Sequence, residues 1–266
     1  MVSAFVASDP AGYERYMGRW SQRLAPLFVE WAEVTAGERV LDVGCGTGSL
    51  TLALARASVA ATTGLDASAP YLDFARARTA DPAVTFDLGD AYKLPYADGA
   101  FDRTLSMLTL DVLADPGRAI AEMRRVTRRG GTVAGLVNDF RCGFTAFSLV
   151  LDTAASLEPS AGALRDELMS DQKGWPGGLA GLFREVGLAG VREGRLSTFF
   201  DFESFADYWS TFTTGQGRLG RWLMSLTEGQ RGVIEHHLRP AYLCGRADGP
   251  REFSTAFWVT RGVVAS

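Results

Sequence analysis

Closely spaced glycines form the part of this sequence best suited to bind a ligand. Gly44, Gly46 and Gly48 occupy alternate positions between the apolar run 40–43 and the helix-forming stretch 52–56. Glycine permits positive φ and lets a ligand approach the bare backbone, and the free N–H groups of a following helix favour polar or anionic ligand atoms. A plain strand-to-helix turn needs fewer glycines, so the spacing predicts a ligand resting on this loop.

Acidic residues stand at related places along the next stretch of chain. Asp42 lies two residues before the first glycine, Asp66 ends the second apolar segment, and Asp90 follows the third. Asp66 comes roughly 20 residues after the loop, where a second parallel strand brings a carboxylate to ribose hydroxyls. A dinucleotide-binding fold accounts for Asp66 but not for the other two acids. Alternatively, Asp66 and Asp90 could only cap helices beginning at Ser68 and Tyr92.

In this combination the chain resembles the class I S-adenosylmethionine-dependent methyltransferases, and among them the small-molecule group similar to quinone-biosynthesis methyltransferases. The resemblance covers about residues 36–140 and includes a Gly-Gly turn at Gly130-Gly131. It implies S-adenosyl-L-methionine as the cofactor. The implied cofactor contacts are the three loop glycines, Asp66 at the ribose with Ala67 after it, Asp90 and Ala91 at the adenine, and Leu108 at the ammonium of the methionine part. Asp42 would either hold the loop or receive the same ammonium.

The N-terminal segment carries a dense aromatic and cationic group. Tyr13, Tyr16 and Trp20 are three and four residues apart, so they share one face if the segment is a helix. That face could simply pack on the core. The resemblance implies instead a lid over the cofactor, with Tyr13 and Trp20 facing the ligand and Arg19 reaching its carboxylate. A solvated arginine is the alternative for Arg19.

The acceptor side of the site has a weaker signal. Many related methyltransferases carry a histidine before an Asp-Pro pair after the fourth strand; here Asp115-Pro116 is present and the histidine is not. Asp111 is the nearest replacement and could act as a general base if burial raised its pKa. It could equally be a solvated loop acid. Asn138 and Asp139 end the fifth strand and also face the cofactor edge in this topology.

The order of apolar, glycine-rich and amphipathic segments predicts an α/β fold, because strands and helices alternate from about 39 to 138. The strand candidates are 39–43, 61–65, 84–88, 101–107 and 131–137, with helices near 48–57, 68–79 and 116–128. Farther on, we expect helices near 144–157, 161–170 and 177–187, a strand over 191–202, helices over 205–222 and 227–238, and a last strand over 253–264.

These elements indicate a Rossmann-like three-layer sandwich, with a mostly parallel seven-stranded sheet, an antiparallel last strand and a helical cap. The antiparallel strand and the cap come from the resemblance. The predicted units are an N-terminal helical lid over 1–35, a cofactor-binding core over 36–139, a substrate cap with sheet completion over 140–253, and the final strand over 254–266.

Composition limits the classes of partner. The 266 residues carry a net charge of −4, which argues against the clustered positive charge of a nucleic-acid-binding surface. No apolar run reaches membrane-spanning length without a charge, and the start has no basic signal region. We therefore expect a cytoplasmic monomer or homodimer that binds a small molecule, with no nucleic-acid or membrane partner.

Cysteine and histidine usage gives no support for a metal site. Cys45, Cys142 and Cys244 are not at ligand spacing, and their odd number suits a reducing compartment. His236 and His237 are adjacent, so on a helix they point about 100° apart and cannot both line one pocket. We expect them on the surface, away from the site.

Together these features predict a methyltransferase that acts on an O, N or C atom of a small, apolar or aromatic metabolite. Aromatic side chains in the cap favour such an acceptor, although core packing explains most of them. Two alternatives remain open: a protein of this fold that binds S-adenosylmethionine for a non-methylating role, and an NAD-dependent oxidoreductase.

Overall fold

The computed structural model of the protein describes residues 8–57 and 59–265. Within these residues, strands form a single seven-stranded sheet in the order β3-β2-β1-β4-β5-β7-β6. The strands are β1 Arg39–Val43, β2 Ala61–Asp66, β3 Val84–Leu88, β4 Phe101–Met107, β5 Thr127–Asn138, β6 Leu188–Phe202 and β7 Arg251–Val264. Neighbours among β1 to β5 are parallel, and β7 is antiparallel to both of its neighbours, β5 and β6. The predicted fold class is thus confirmed.

Helices cover both faces of the sheet and one end of it. They are α1 Pro10–Tyr13, α2 Arg19–Trp31, α3 Ser49–Arg56, α4 Ala69–Arg76, α5 Pro116–Val126, α6 Thr145–Ala155, α7 Pro159–Ser170, α8 Gly178–Glu185, α9 Phe205–Phe212, α10 Gly217–Ser225 and α11 Glu228–Leu243. A π-helical turn, Glu14–Gly18, joins α1 to α2, and a 3₁₀ turn, Gln172–Gly174, precedes α8. The ends of the lid and last-strand predictions, residues 1–7 and 266, lie outside the described residues.

The core is divided by the sheet. One buried cluster joins α2, α3 and the cap helices through large side chains such as Trp20, Phe200 and Phe257. A second cluster lies on the opposite face, where Ile120 of α5 and Phe183 of α8 pack. Burial on both faces stabilises the parallel strands β1 and β4 and the second half of β5, where nearly every residue is buried.

The sheet topology explains where a ligand site can form. The strand order reverses between β1 and β4, and parallel strands deliver the loops at their carboxyl ends to one common edge. In open α/β sheets, ligands bind in the crevice beside such a switch point. The glycine loop after β1 and the turns after β2, β3 and β4 therefore meet at this edge.

Two predicted boundaries are wrong for local reasons. Helix α5 ends at Val126 rather than at the Gly130-Gly131 turn, because Thr127 already pairs with Phe101 of β4. A register shift between Phe101 and Arg103 then absorbs the glycines inside β5. The single helix expected over 205–222 is instead α9 and α10, which are separated by a turn that includes Gly215 at φ +75°.

Candidate active site

A cavity of about 670 Å³ opens at the carboxyl ends of β1 to β4. Nine of the residues predicted for the site line it: Tyr13, Gly44, Gly46, Asp66, Ala67, Asp90, Ala91, Leu108 and Asp111. The remaining four, Arg19, Trp20, Asp42 and Gly48, are not among its lining residues. The topology brings Gly44, Gly46, Asp66 and Asp90 into one crevice, as the sequence predicts.

The glycine loop shows why a side chain is excluded after β1. Gly44 has φ +74°, and a Cβ at this position would lie 2.3 Å from the side chain of Thr109. Thr109 donates from Oγ1 to the carbonyl of Gly44 at 3.0 Å, which ties the loop after β1 to the loop after β4. Gly46 also has positive φ, and its N–H is directed to a carboxylate of the next strand. Bare backbone therefore forms part of the cavity wall.

Asp66 organises the loop from the end of β2. Its Oδ2 accepts from Gly46 N at 2.9 Å and its Oδ1 accepts from Ser68 N at 2.8 Å. A carboxylate offers about four acceptor sites, so each oxygen keeps capacity for a ligand hydroxyl. Burial raises the pKa of the Asp66 carboxyl, and the backbone donors oppose that shift. The cap of α4 is Ser68, so Asp66 is not merely a helix cap.

The third strand contributes an exposed polar edge. Asp90 is exposed and accepts from Tyr92 N at 2.8 Å through Oδ1. Within the described chain this turn does not continue into a helix, which removes the alternative that Asp90 caps one at Tyr92. Leu88 is 60% exposed and lines the cavity beside it. An exposed apolar side chain next to a carboxylate can receive the face of a flat heterocycle.

Leu108 adopts an unusual backbone conformation where β4 ends. It has φ +60°, and its N–H donates to Leu136 O at 2.9 Å. A non-glycine residue in the left-handed region costs on the order of 1–3 kcal/mol, and such strain concentrates at functional sites. The chain turns sharply here, so that Thr109 and Asp111 follow at the cavity wall.

Asp42 lies behind the loop and does not face the cavity. It is 1% exposed, and Thr51 of α3 donates to its Oδ2 at 2.7 Å. Burial raises its pKa to about 7. The carboxyl thus fixes the start of α3 against β1, which corresponds to the loop-holding role considered for it. Gly48, at φ +89°, precedes α3 as its N-terminal cap residue.

The N-terminal segment does cover the cavity, but with a different set of side chains. Tyr13, Tyr16 and Met17 line the cavity. Trp20 is 1% exposed and instead stacks on Phe200 at 4.2 Å between ring centroids, in the core. The π-helical turn between α1 and α2 has a wider repeat than an α-helix, so the expected common face of the aromatic residues does not form.

Arg19 is held by the cap rather than presented to the cavity. Its guanidinium contacts both carboxylate oxygens of Asp207 at 3.0 and 3.1 Å and donates to Thr211 Oγ1 at 3.1 Å. The guanidinium also stacks over Trp20, at 4.1 Å from the ring centroid. Arg19 is therefore not a solvated arginine, because its side chain contacts Asp207, Thr211 and Trp20. These contacts join α2 to α9.

The N-terminal segment is attached directly to the glycine loop. Thr47 donates from Oγ1 to Glu14 Oε1 at 2.6 Å, and Arg78 donates to the carbonyl of Thr47 at 2.8 Å. Arg78 also lies 3.8 Å from the same Glu14 oxygen. We call these three residues the Glu14 latch. It links the π-helical turn, the glycine loop and the end of α4.

Asp111 is buried, so the alternative of a solvated loop acid is wrong. It is 6% exposed, and Oδ2 accepts from the backbone and side-chain nitrogens of Asn138, at 3.3 and 2.5 Å. Burial raises its pKa. Asn138 also lines the cavity, whereas Asp139 turns away and pairs with Arg195 at 2.8 Å.

The far wall of the cavity comes from the cap and carries mostly apolar side chains. It includes Phe140, Phe144, Phe147, Leu168 and Leu219. Asp171 and Arg218 lie on the same wall, each with a partner of opposite charge: Lys173 at 3.0 Å and Glu167 at 3.0 Å, respectively. The two polar residues and the α10 residues had no signal in the sequence, because tertiary packing alone brings them to this edge.

The histidines, possible metal ligands and possible membrane-spanning helices add nothing to this cavity. His236 and His237 are exposed on α11, away from the cavity, as expected. Across residues 8–57 and 59–265, no group of three or more His, Cys, Asp or Glu side chains could hold a metal ion. In the same part of the chain, every helix is too short or too polar to cross a membrane.

Comparison with known proteins finds similarity to methyltransferases in the core of the chain. Residues 41–135 match the family model described as Methyltransferase domain. Methyltransferase GfsG of Streptomyces halstedii is 36% identical over 161 residues, which cover 56% of this chain and 58% of that protein. The 27-O-demethylrifamycin SV methyltransferase of Amycolatopsis mediterranei is 31% identical over 162 residues, which cover 59% of this chain and 54% of that protein. The chain thus spans little more than half the length of these curated relatives.

A solved structure extends the likeness of fold over most of the chain. The YcgJ protein of Bacillus subtilis has a TM-score of 0.58 to this protein at 18% identity. The superposition covers 93% of this chain and 99% of that chain. At this identity, the likeness concerns the fold alone.

Proposed function

We propose that the chain is a class I S-adenosylmethionine-dependent methyltransferase that methylates a small organic molecule, from the premise that residues 41–135 match a methyltransferase domain. The match confirms the family resemblance seen in the sequence. The observation that supports the proposed activity best is the shared crevice: backbone of Gly44 and Gly46, the carboxylate of Asp66 and the buried carboxylate of Asp111 line one cavity.

The residues present suit S-adenosylmethionine as the cofactor. The cavity of about 670 Å³ is in the size range of small-molecule sites, and the bare backbone at Gly44 and Gly46 leaves room for close approach. Asp66 would bind the ribose hydroxyls through its unused acceptor capacity, and Ala67 follows it on the cavity wall. Asp90 and Ala91 would bind the adenine edge.

The methionine part of the cofactor would lie toward β4. Leu108, which lines the cavity at the strained turn after β4, would accept from the ammonium group through its backbone carbonyl. Tyr13 of the N-terminal segment also lines the cavity and would contact the cofactor. Because the structure gives Arg19, Trp20, Asp42 and Gly48 other contacts, we propose no direct cofactor contact for them.

The bound cofactor supplies an electrophilic methyl group on a sulfonium, so the protein's main contribution is to position the acceptor in line with it. Holding two reactants at near-attack distance can lower a barrier by about 7–11 kcal/mol at the extreme. The walls formed by the N-terminal segment and the cap would exclude water from the acceptor. Asp111, whose pKa burial raises, would take the proton of the acceptor group.

Two alternatives predict different behaviour. A protein of this fold with a non-methylating role would bind the cofactor without forming S-adenosylhomocysteine. An NAD-dependent oxidoreductase would bind NADH at Asp66, but that alternative gives no role to the cavity position of Asp90.

The test is to incubate the purified chain with S-adenosylmethionine and pools of small aromatic and alicyclic compounds, and to measure S-adenosylhomocysteine. We expect acceptor-dependent product that is reduced at least about tenfold in an Asp111→Asn variant whose affinity for the cofactor is unchanged. Cofactor binding without product in any pool would favour the non-methylating role. Binding of NADH but not of S-adenosylmethionine would favour the oxidoreductase.

A further inference from the structure

Two buried oxygen atoms on the cavity wall have no hydrogen-bond donor. Asp111 and Asn138 are 6% and 8% exposed, and both line the cavity. Both bonds between them use Asp111 Oδ2. Asp111 Oδ1 and Asn138 Oδ1 accept no hydrogen bond from any described group. Buried acceptors are rarely left unsatisfied, so a bound molecule that donates a hydrogen bond here would remove a penalty.

The surroundings of this pair are apolar. Asn138 ends β5, and Phe140 follows it two residues later on the same cavity wall. Phe140 lies 5.3 Å from Phe144, and Phe144 lies 4.3 Å from Phe147, between ring centroids. Clustered aromatic rings favour a ligand with a ring of its own, since rings pack at these distances. A polar pair beside an aromatic wall selects a molecule that is apolar except at one group.

Charge on the cavity wall restricts the molecule further. The acidic lining residues are Asp66, Asp90, Asp111 and Asp171, and Arg218 is the basic one among the described lining residues. Arg218 is already paired with Glu167. A cavity lined mainly by one sign of charge disfavours ligands of the same sign. An acceptor that bears a carboxylate or a phosphate is therefore disfavoured.

Asp111, as the proposed general base, also favours one kind of nucleophilic atom in the acceptor over another. A neutral nitrogen attacks through a lone pair that is present before any proton leaves, whereas a hydroxyl oxygen becomes a strong nucleophile when a base takes its proton. Asp111 is a buried carboxylate of a cavity-lining residue, and its Oδ1 has no hydrogen-bond partner among the described groups, which suits the second case.

We propose that the acceptor is an uncharged, ring-bearing hydroxyl compound whose O–H donates to Asp111 Oδ1, and that the chain is an O-methyltransferase. Asn138 is a positioning residue that holds Asp111. In the reaction a carbon–oxygen bond forms as the sulfur–methyl bond breaks, the sulfur keeps the electron pair, and the hydroxyl proton passes to Asp111 and then to solvent. This inference rests on the proposed function, because it specifies the acceptor of the same site.

The test measures binding rather than turnover, by calorimetry on the full chain. A titration with S-adenosylhomocysteine comes first, and failure of that titration counts against the proposed function itself. The chain saturated with it is then titrated with phenol, 2-naphthol and 4-phenylphenol, each beside its methyl ether and the carboxylate of the same ring. We expect at least one hydroxyl compound to bind about tenfold more tightly than its ether and its carboxylate.

Variants assign that preference to the pair. Asp111→Asn presents an N–H where wild type presents an open acceptor, so the preference for hydroxyl over ether should disappear or reverse. Asn138→Leu should weaken it, because Asp111 then loses both its side-chain donor and its fixed orientation. The matched control is Asp73→Asn, which removes an exposed carboxylate of α4 that does not line the cavity and should keep the preference. Thermal melts check that each variant is folded.

The inference and the proposed function fail in different ways. If S-adenosylhomocysteine binds but no hydroxyl compound is preferred over its ether, including the case in which no probe binds, the hydroxyl assignment is overturned and the methyltransferase proposal stands. The assignment is also overturned if the preference survives in Asp111→Asn, or if the carboxylates bind as well as the hydroxyl compounds.

Discussion

At the scale of single residues, Asp66 is the group on which cofactor affinity should depend most. It already accepts from Gly46 N and Ser68 N, and the proposed ribose contacts would use its remaining lone pairs. Hydrogen bonds to a charged acceptor contribute more than neutral ones. Asp66→Ala should weaken binding of S-adenosylhomocysteine by about 3 kcal/mol, on the order of 100-fold, in a calorimetric titration.

The control for this change is Asp73→Ala. Asp73 is an exposed acid on α4 whose contact with Arg76 lies within the same helix, so its loss should leave the affinity unchanged. An Asp66→Ala variant that melts like wild type and binds the cofactor equally well would remove Asp66 from the site.

Asp42 gives a prediction about stability and pH. Burial raises its pKa to about 7, whereas an unfolded aspartate titrates near 4. Between these values the folded state holds more protons than the unfolded chain, so the contribution of Asp42 to stability falls as pH rises. Asn at this position can still accept from Thr51 and carries no charge. The free energy of unfolding of Asp42→Asn relative to wild type should therefore rise by about 3 kcal/mol between about pH 5 and 8, at roughly 1.4 kcal/mol per pKa unit.

Urea unfolding of both proteins at the two pH values measures this difference. Asp73→Asn is again the control, because an exposed side chain should show the same small difference from wild type at both pH values. A pH-independent difference between Asp42→Asn and wild type would mean that Asp42 is ionised in the folded protein at little cost.

At the residue scale, the sequence predicts acids better than aromatic residues. Asp66 and Asp90 are found at the cavity because Asp66 ends β2 and Asp90 lies in the turn just after β3, and their ligand contacts stay predictions. Helical spacing predicts a shared face for Trp20 and the two tyrosines, which the π-helical turn breaks. The role of Arg19 came from the family resemblance, and the structure pairs Arg19 with Asp207 instead. Asn138 could be placed at the edge from its position at the end of β5, but its pairing with Asp111 depends on side-chain packing.

At the scale of elements, the Glu14 latch is the contact that joins the N-terminal segment to the glycine loop. Thr47 is 1% exposed, and its hydroxyl donates to Glu14 at 2.6 Å. Thr47→Val removes this donor at similar volume and leaves Glu14 with weaker contacts. We expect faster hydrogen exchange over residues 10–18, and an affinity for S-adenosylhomocysteine reduced by about tenfold, since a hydrogen bond to a charged group contributes on the order of 1.5 kcal/mol or more.

A matched control is Thr63→Val. Thr63 pairs with Thr85 on exposed positions of neighbouring strands, so its loss removes a hydroxyl far less buried than that of Thr47. Exchange over residues 10–18 should then match wild type. If Thr47→Val also leaves the exchange unchanged, the N-terminal segment is held by its apolar contacts with the cap and not by the latch.

Elements were predictable to different degrees for a physical reason. The strands β1 to β4 were placed within a residue or so because short segments with apolar and β-branched residues, bounded by turn residues, mark strands clearly. The start of β5 was misplaced because β5 already pairs with β4 at Thr127, before Gly130 and Gly131. That pairing depends on the partner strand and leaves no local signal in the sequence. The break between α9 and α10 depends on a turn at Gly215, which a helical pattern of aromatic residues hides.

At the scale of the whole molecule, the site is built from parts with unequal support in the sequence. The Rossmann-like core follows from alternating strands and helices, and the sheet order confirms it. The cap contributes α7 and α10 to the cavity wall through residues such as Leu168 and Leu219, which are more than 45 residues from one another. Contacts of this kind form only when the core and cap pack together. The acceptor side is therefore less predictable from sequence than the cofactor side.

Because the cofactor-binding and cap regions share a continuous core and one cavity, ligand binding should stabilise the molecule as a whole. A ligand that binds only the folded state at about 100 times its Kd adds about 2.7 kcal/mol. For a chain of this size, 1 kcal/mol shifts Tm by roughly 2–4 °C, so saturating S-adenosylhomocysteine should raise Tm by about 5–10 °C. Scanning calorimetry should show one transition that moves as a unit. NADH at the same concentration should leave Tm unchanged. The Asp66→Ala variant should lose most of the rise in Tm with S-adenosylhomocysteine. An equal rise in Tm with NADH would instead favour the oxidoreductase alternative.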